Sequence, residues 1–343
     1  MIQRFHGSLW GLAVGDAYGV PFEWNAPFSS EPHLYRDNHY IIHTPISPPE
    51  QMVQKLDEFG NVKTDIGQWS DDLALALCLA ESLVTCGEHN PRNQMKKYRD
   101  WLVEGYMTAT GVAYGSGRTM RTAVEAFDKE PFAYFTGEIE GGKIGNGSVM
   151  RLAPIPMFYV NDKRMAVEIA IDSSRVTHSD PVCLDVCAIF AEMLWKALNG
   201  YAKEDILARS QFLIAQFENE GHEFVSSDIG IKLAHRNWNK VILEDEIDML
   251  SNVKVEASGY APKSMEAGVW CFAVTDNFVD GMKLAISLGG DTDSTGSIYG
   301  QLAGAHYGLD AIPRSWRDCL MKGRLVTEFA QKLYNNRYQP NRQ

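Results

Sequence analysis

The sequence predicts an all-α protein, and three observations carry that prediction. Wherever apolar residues follow a strong pattern, they recur at helical rather than alternating spacing. Helix start and stop residues bracket those patterns. Strand and hairpin signals are nearly absent. The elements follow in order along the chain. FHGSLWGLAVGDA, residues 5 to 17, reads as a helix rich in small residues, with Gly11, Gly15 and Asp16 interrupting its apolar run. From about Asn25 to Asp65 the periodicity fades, and Pro27, Pro32, Pro45, Pro48 and Pro49 punctuate a long loop of the kind that forms lids. DDLALALCLAESLVTC, residues 71 to 86, carries Leu and Ala on several faces and predicts a helix buried nearly all round. Residues 181 to 199 open with Pro181 in the first turn and stop at Gly200. Residues 264 to 274 and 278 to 288 predict two further helices. TGSIYGQLAGAHY, residues 295 to 307, is helical but Gly-rich, so another backbone is expected to approach it closely.

Composition narrows the function classes. The chain has 343 residues, 45% hydrophobic and 22% charged, which is ordinary for a water-soluble globular protein. A formal net charge of −12 argues against a nucleic-acid backbone as partner, because phosphate affinity rests on Lys and Arg. No stretch approaches the length a membrane helix needs, and the N-terminus lacks a clean signal-peptide cleavage site. The six cysteines form no CxxC pair, and four lie in apolar helical patterns as buried thiols, which fits a reducing, cytoplasmic compartment. His33, His39 and His43 fall in the 25–65 segment without a nearby Cys, and a surface role is expected for them rather than a zinc site.

Two acidic clusters stand out. In GQWSDDL, residues 67 to 73, Ser70 is placed as an N-cap with Asp71 and Asp72 in the first helical turn, where the helix dipole favours negative charge. Neighbouring residues on a helix point about 100° apart, so the two carboxylates can reach different points. In SLGGDTDS, residues 287 to 294, Asp291 and Asp293 lie two apart in a Gly-flanked turn, with Ser294 adding a hydroxyl. Together these six residues supply only hard oxygen donors, which suit Mg²⁺ or Mn²⁺ rather than zinc. Two such ions held roughly 3.5–4 Å apart are a recurring catalytic arrangement. The clusters lie more than two hundred residues apart, and only the fold can join them.

From Phe5 to Trp316 the chain resembles the ADP-ribosylglycohydrolase family, which includes the dinitrogenase reductase-activating glycohydrolases and ADP-ribosyl-acceptor hydrolases. The resemblance is carried by GSLWGLAVGDAYGVPFEW (7 to 24), GQWSDDLALAL, YGSGRTMR (114 to 121), IGNGSVMR (144 to 151), RVTHSDP (175 to 181) and SLGGDTDSTGSIYGQLAGAHYG (287 to 308), in the family's order. It implies a single domain over residues 1–343, a compact orthogonal multi-helix bundle with a dinuclear metal site in a central cleft. It makes Ser70, Asp71, Asp72, Asp291, Asp293 and Ser294 the ligands of two divalent cations, Mg²⁺ or Mn²⁺. Glu23 falls where the family has a glutamate tied to catalysis and gating, and Glu23, Asp71 and Asp291 are the candidate catalytic groups. Asn146, Gly147 and Ser148 resemble the segment that contacts the pyrophosphate; Gly115, Ser116, Gly117 and Arg118 serve the same end of the ligand, and His178 lies near the ADP-ribose. Where many members have Thr-Asp-Asp-Thr, this chain has Ser70-Asp71-Asp72-Leu73, and Ser294 stands where Thr is common.

The implied reaction is metal-dependent removal of ADP-ribose from a protein side chain, most often arginine, by cleavage of an N- or O-glycosidic bond. The expected partners are an ADP-ribosylated protein and the product ADP-ribose, with an ADP-ribosylating toxin as a further possibility and a monomer as the expected state. Alternatives are a non-catalytic ADP-ribose-binding protein, a toxin-blocking immunity protein of the same fold, and a two-metal phosphoesterase. The last leaves the Gly-rich motifs unexplained.

Overall fold

The computed structural model describes residues 1–24, 55–56, 62–133, 135–137, 144–217, 228–236, 238 and 255–340. Its elements are α1 (Ile2–Gly19), α2 (Asp71–Cys86), α3 (Pro91–Glu104), α4 (Arg118–Lys129), α5 (Pro154–Phe158), α6 (Lys163–Arg175), α7 (Pro181–Leu198), α8 (Lys203–Leu207), α9 (Gln211–Phe217) and α10 (Asp228–His235). The C-terminal third adds α11 (Ala261–Val274), α12 (Phe278–Ser287), α13 (Thr292–Tyr307), α14 (Arg314–Asp318) and α15 (Gly323–Asn335). The architecture is all-α. One short antiparallel ribbon pairs Lys55–Leu56 (β1) with Val62–Thr64 (β2), inside the stretch expected to be an unstructured loop. The rest of that stretch, including His33, His39 and His43, lies outside the described residues. No described helix is long and apolar enough to cross a membrane.

The molecule is organised around α1 and α13, which pack antiparallel along their lengths. Gly7, Gly11 and Gly15 recur every four residues and so share one face of α1; Gly296, Gly300 and Gly304 do the same on α13. A Cβ added at Gly11 would lie 2.0 Å from the Gly300 carbonyl oxygen, and one at Gly300 would lie 2.0 Å from that of Gly11. Backbone touches backbone, so no side chain separates the helices. Both are buried nearly all round, over residues 7–19 of α1 and 292–305 of α13. Polar side chains tie the pair to its surroundings. Ser8 donates to the Gln301 carbonyl at 3.0 Å, and the Gln301 carboxamide donates to the Met150 carbonyl while accepting from Ala153 N–H. Arg4 donates to the carbonyls of Ala305 and His306, placing a cation at the C-terminal end of α13.

Helix starts obey local capping rules. Asp180 accepts from Val182 N–H ahead of Pro181, and Asn277 accepts from Asp280 N–H to open α12. α1, α11 and α13 each begin three residues before their expected starts. For α13 the difference matters. Asp291 is its N-cap residue and Asp293 lies in its first turn, so these carboxylates do not both sit in a Gly-flanked loop. Gly289 and Gly290 adopt left-handed φ values of 69° and 64° to make the turn that precedes them, and a Cβ on Gly290 would strike the Ala257 carbonyl. All six cysteines are free thiols, with Cys78, Cys183, Cys187 and Cys271 buried.

Candidate active site

The packing of α1 on α13 brings the two acidic clusters together. Gly19, at the end of α1, abuts the backbone of Thr292 and Asp293, and Thr292 donates to the Gly19 carbonyl at 2.7 Å. One turn earlier on α1, the Asp16 carboxylate accepts from Ser70 N–H at 2.8 Å and from Leu73 N–H at 2.9 Å. Asp16 therefore caps α2 from a neighbouring helix and sets its first turn beside the start of α13. A cleft of about 500 Å³ opens at this junction, with Asp71, Asp291, Asp293 and Ser294 on its floor. Glu23 and Trp24 stand at its edge, directly after the 3-10 turn Val20–Phe22. Trp24 takes a left-handed φ of 64° and donates its N–H to the Gly290 carbonyl, which ties this edge to the turn before Asp291.

The electrostatics are those of crowded, buried carboxylates. Burial first, and then the charge of neighbouring carboxylates, raises Asp71, Asp72 and Asp293 well above the usual range. Burial likewise raises Asp16 to about 7, against the opposing effect of the N–H bonds it accepts from Leu73 and Ser70. The charges acting most strongly on Asp71, Asp72 and Asp293 are other acids, including Asp16, Asp291 and Glu23. Among the described residues, Asp72 Oδ1 is buried without a hydrogen-bond partner. As placed, no three His, Cys, Asp or Glu side chains among the described residues converge closely enough to hold an ion. Mutual repulsion keeps bare carboxylates apart, and two of the six expected donors are hydroxyls. The donor set fits hard divalent cations: oxygen only, with an unpartnered carboxylate oxygen and buried like charges that a cation would neutralise.

The opposite walls come from the Gly-rich motifs. Gly115, Gly117 and Arg118 line the cleft, as do Asn146, Gly147 and His178. Gly115 has φ 89° and lies so close to Asp71 that an added Cβ would sit 2.3 Å from its Oδ1. Four expected residues do not line the cavity. Ser116 turns its hydroxyl to accept from Arg121 at 2.8 Å. The Ser148 hydroxyl donates to Ser174 Oγ at 2.9 Å and accepts from the Cys187 thiol at 3.3 Å, facing helix packing instead. Ser70 and Asp72 lie just beneath the floor, with Ser70 Oγ at 3.4 Å from Asp72 Oδ2. Asn146 lines the cleft, but its carboxamide donates to Asp291 Oδ2 at 2.9 Å and to Ser264 Oγ at 2.8 Å.

Sequence reasoning passed over Asp16, Trp24, Arg151 and Thr177. Asp16 had a visible signal, an acid inside an otherwise apolar helix, and Arg151 closes the quoted motif IGNGSVMR. Trp24 closes the motif GSLWGLAVGDAYGVPFEW and Thr177 lies inside RVTHSDP, but an aromatic and a hydroxyl are common anywhere and their roles depend on contacts outside those motifs.

Comparison with known proteins gives the family. A family model described as ADP-ribosylglycohydrolase matches residues 1–343. The chain is 28% identical over 334 residues to the ADP-ribosylarginine hydrolase Tri1 of Pseudomonas putida (strain GB-1), covering 97% of this chain and 78% of that one. It is 24% identical to the ADP-ribosyl-[dinitrogen reductase] glycohydrolase of Rhodospirillum rubrum, over 92% of this chain and 89% of the other. A solved structure described as an ADP-ribosylglycohydrolase-related protein complex superposes with a TM-score of 0.71 at 31% identity, covering 98% of this chain and 99% of that one. The chain belongs to the ADP-ribosylglycohydrolase family of hydrolytic enzymes.

Proposed function

We propose that this enzyme removes ADP-ribose from modified arginine side chains of proteins, hydrolysing the N-glycosidic bond with the help of two divalent cations. The observation that carries this reading is the meeting of buried carboxylates from the starts of α2 and α13 in one cleft whose other walls are Gly-rich loops. The arginine acceptor is supported by the similarity to proteins named ADP-ribosylarginine hydrolase. Ser70, Asp71, Asp72, Asp291, Asp293 and Ser294 would hold the ions, which supply Lewis acidity and lower the pKa of a bound water.

The chain's own residues account for the remaining steps. Backbone N–H groups of the turns at Gly115–Gly117 and at Gly147 would offer donors to anionic oxygens of the ADP part, binding it away from the reacting bond, whereas the Asn146 N–H is given to the Gly259 carbonyl. That remote binding energy orients the anomeric carbon over the acidic floor. Cleavage passes through an oxocarbenium-like state as the C–N bond lengthens. Glu23, Asp71 and Asp291 are the candidates to take the proton of the attacking water and pass it to the arginine nitrogen as the C–N bond breaks. Glu23 and Trp24, at the edge of the cleft, are placed to meet the protein acceptor. The site is expected to work on an ADP-ribosylated protein in a reducing compartment.

The test is release of ADP-ribose from an arginine-modified protein with Mg²⁺, with Mn²⁺ and with chelator. Metal-dependent release is expected. No release from arginine-, serine- or ester-linked substrates would overturn hydrolysis and favour a binding or toxin-blocking protein of the same fold.

A further inference from the structure

A hydrogen-bonded chain runs behind the cleft wall. Arg151 is 1% exposed, its guanidinium lies 4.5 Å from the centre of the Tyr98 ring, and its Nη2 donates to Thr177 Oγ1 at 2.6 Å. Thr177 is fully buried, and its Oγ1 lies 2.7 Å from His178 Nδ1. A guanidinium has donors only, so the Thr177 oxygen accepts from Arg151 and keeps its own proton to give. His178 Nδ1 is the acceptor within reach. If Nδ1 carried the ring proton instead, the Thr177 oxygen would face two donors and its buried hydroxyl proton would have no acceptor among the described residues. The chain of donors therefore runs one way, from Arg151 to Thr177 to His178, and leaves the ring proton on Nε2.

The outer edge of the ring faces the ligand wall. A Cβ added at Gly147 would lie 2.7 Å from His178 Cε1 and 2.9 Å from Nε2, so the imidazole stands against the Gly-rich turn, and both residues line the cleft. Ser174 donates to the His178 carbonyl and accepts from the Ser148 hydroxyl, both at 2.9 Å, which locks the histidine's backbone to the same motif. We propose that Arg151 and Thr177 are positioning residues that hold His178 as a neutral imidazole, presenting Nε2–H to the cleft as a hydrogen-bond donor for an oxygen of the bound ADP-ribose. The ligand's identity rests on the function proposed above; the tautomer does not. Burial and the Arg151 charge lower the His178 pKa to about 3, so the ring donates a hydrogen bond near neutral pH without acting as an acid or base.

The experiment is a long-range proton–nitrogen spectrum of the full chain labelled at histidine, with the His178 signals identified by their loss in His178→Gln. The Nε2–H tautomer is expected, unchanged between pH 5 and 8. An Nδ1–H tautomer, or titration in that range, overturns the proposal whether or not the protein binds ADP-ribose. Thr177→Val, which removes the hydroxyl at nearly constant size, is expected to mix the tautomers and weaken ADP-ribose binding about tenfold, the usual scale of one lost hydrogen bond. Thr177→Ser is expected to restore both. If Thr177→Val only lowers thermal stability and leaves the tautomer pure, Thr177 is a packing residue and the proposal fails. If the wild type shows the Nε2–H tautomer but does not bind ADP-ribose, the functional reading fails and the relay stands.

Discussion

At the scale of single residues, the site depends on side chains that orient other side chains. Asn146 is the clearest case. Both protons of its carboxamide are used, one on Ser264 Oγ and one on Asp291 Oδ2. Its place in a Gly-rich motif suggested a ligand contact, whereas the structure gives its side chain to a candidate metal-site carboxylate. Outer partners of this kind typically change metal affinity or activity by about 10–100-fold when removed. Asn146→Ala is therefore expected to lower kcat and raise the half-saturating Mn²⁺ concentration within that range. Asn146→Asp, which sets a second negative charge against Asp291, is expected to be the worse variant. Equal activity of wild type and both variants in a metal titration would show that the contact to Asp291 is incidental. Residue types at this scale were legible in the sequence, because oxygen donors and Gly-rich turns are chemical signals. The direction in which Ser116, Ser148 and Asn146 point was not, because it depends on neighbours far along the chain, or, for Ser116, on how Arg121 folds back in α4.

At the scale of elements, the α1–α13 contact decides the position of the site. Four-residue glycine spacing on both helices was legible as close backbone approach, but not which helix approached which. A methyl at Gly11 would lie 2.0 Å from the Gly300 oxygen and 2.7 Å from its carbon, and backbone atoms cannot rotate aside. Gly11→Ala is expected to destabilise the fold by at least the ~1–3 kcal/mol of ordinary overpacking, read from the urea midpoint. The variant should also lose activity in its folded fraction, because α1 carries Asp16 and α13 carries Asp293. Gly117 is the control: an added Cβ meets nothing within 4 Å and its φ is not left-handed, so Gly117→Ala should leave the midpoint unchanged. A midpoint for Gly11→Ala equal to that of Gly117→Ala would refute the direct backbone contact. The expected start of α13 at residue 295 missed its first turn because Thr, Asp and Ser are weak helix formers. The turn forms there because the end of α1 presses on it and Thr292 donates to the Gly19 carbonyl.

At the scale of the whole molecule, burying several acids together links stability to pH and to cations. Asp16, Asp71, Asp72 and Asp293 all have raised pKa values in the folded state, Asp16 to about 7. A folded state that holds protons more tightly than the unfolded chain loses stability as pH rises through the gap between the two values. Histidines act in the opposite sense: His6, His89, His178 and His306 are lowered in the fold, so they cost stability only as pH falls below their unfolded value of 6.5. Above about pH 6.5 the carboxylates alone remain. In chelator the melting temperature is thus expected to fall from pH 6.5 to pH 8. Mg²⁺ or Mn²⁺ should raise it at both, and more at pH 8, since an ion that binds only the folded state stabilises it and competes with the protons. A flat pH profile, or no response to either ion, would mean that these acids are not the cation site.

The sequence by itself determined the helical class, the cap at Ser70, Pro181 in the first turn of α7, the small-residue character of α1 and α13 and the oxygen-donor chemistry of the two acidic clusters. Each of these follows from residues a few positions apart, within reach of one helical turn. Only the tertiary structure decided that the clusters meet, that Asp16 caps α2 from outside, that Asn146 serves Asp291, and that Arg151 and Thr177 stand behind His178. Those are contacts between residues from about 25 to more than two hundred positions apart. The acidic clusters meet because glycine faces let α1 and α13 approach until backbone meets backbone, which sets Asp16 and the start of α2 beside the start of α13.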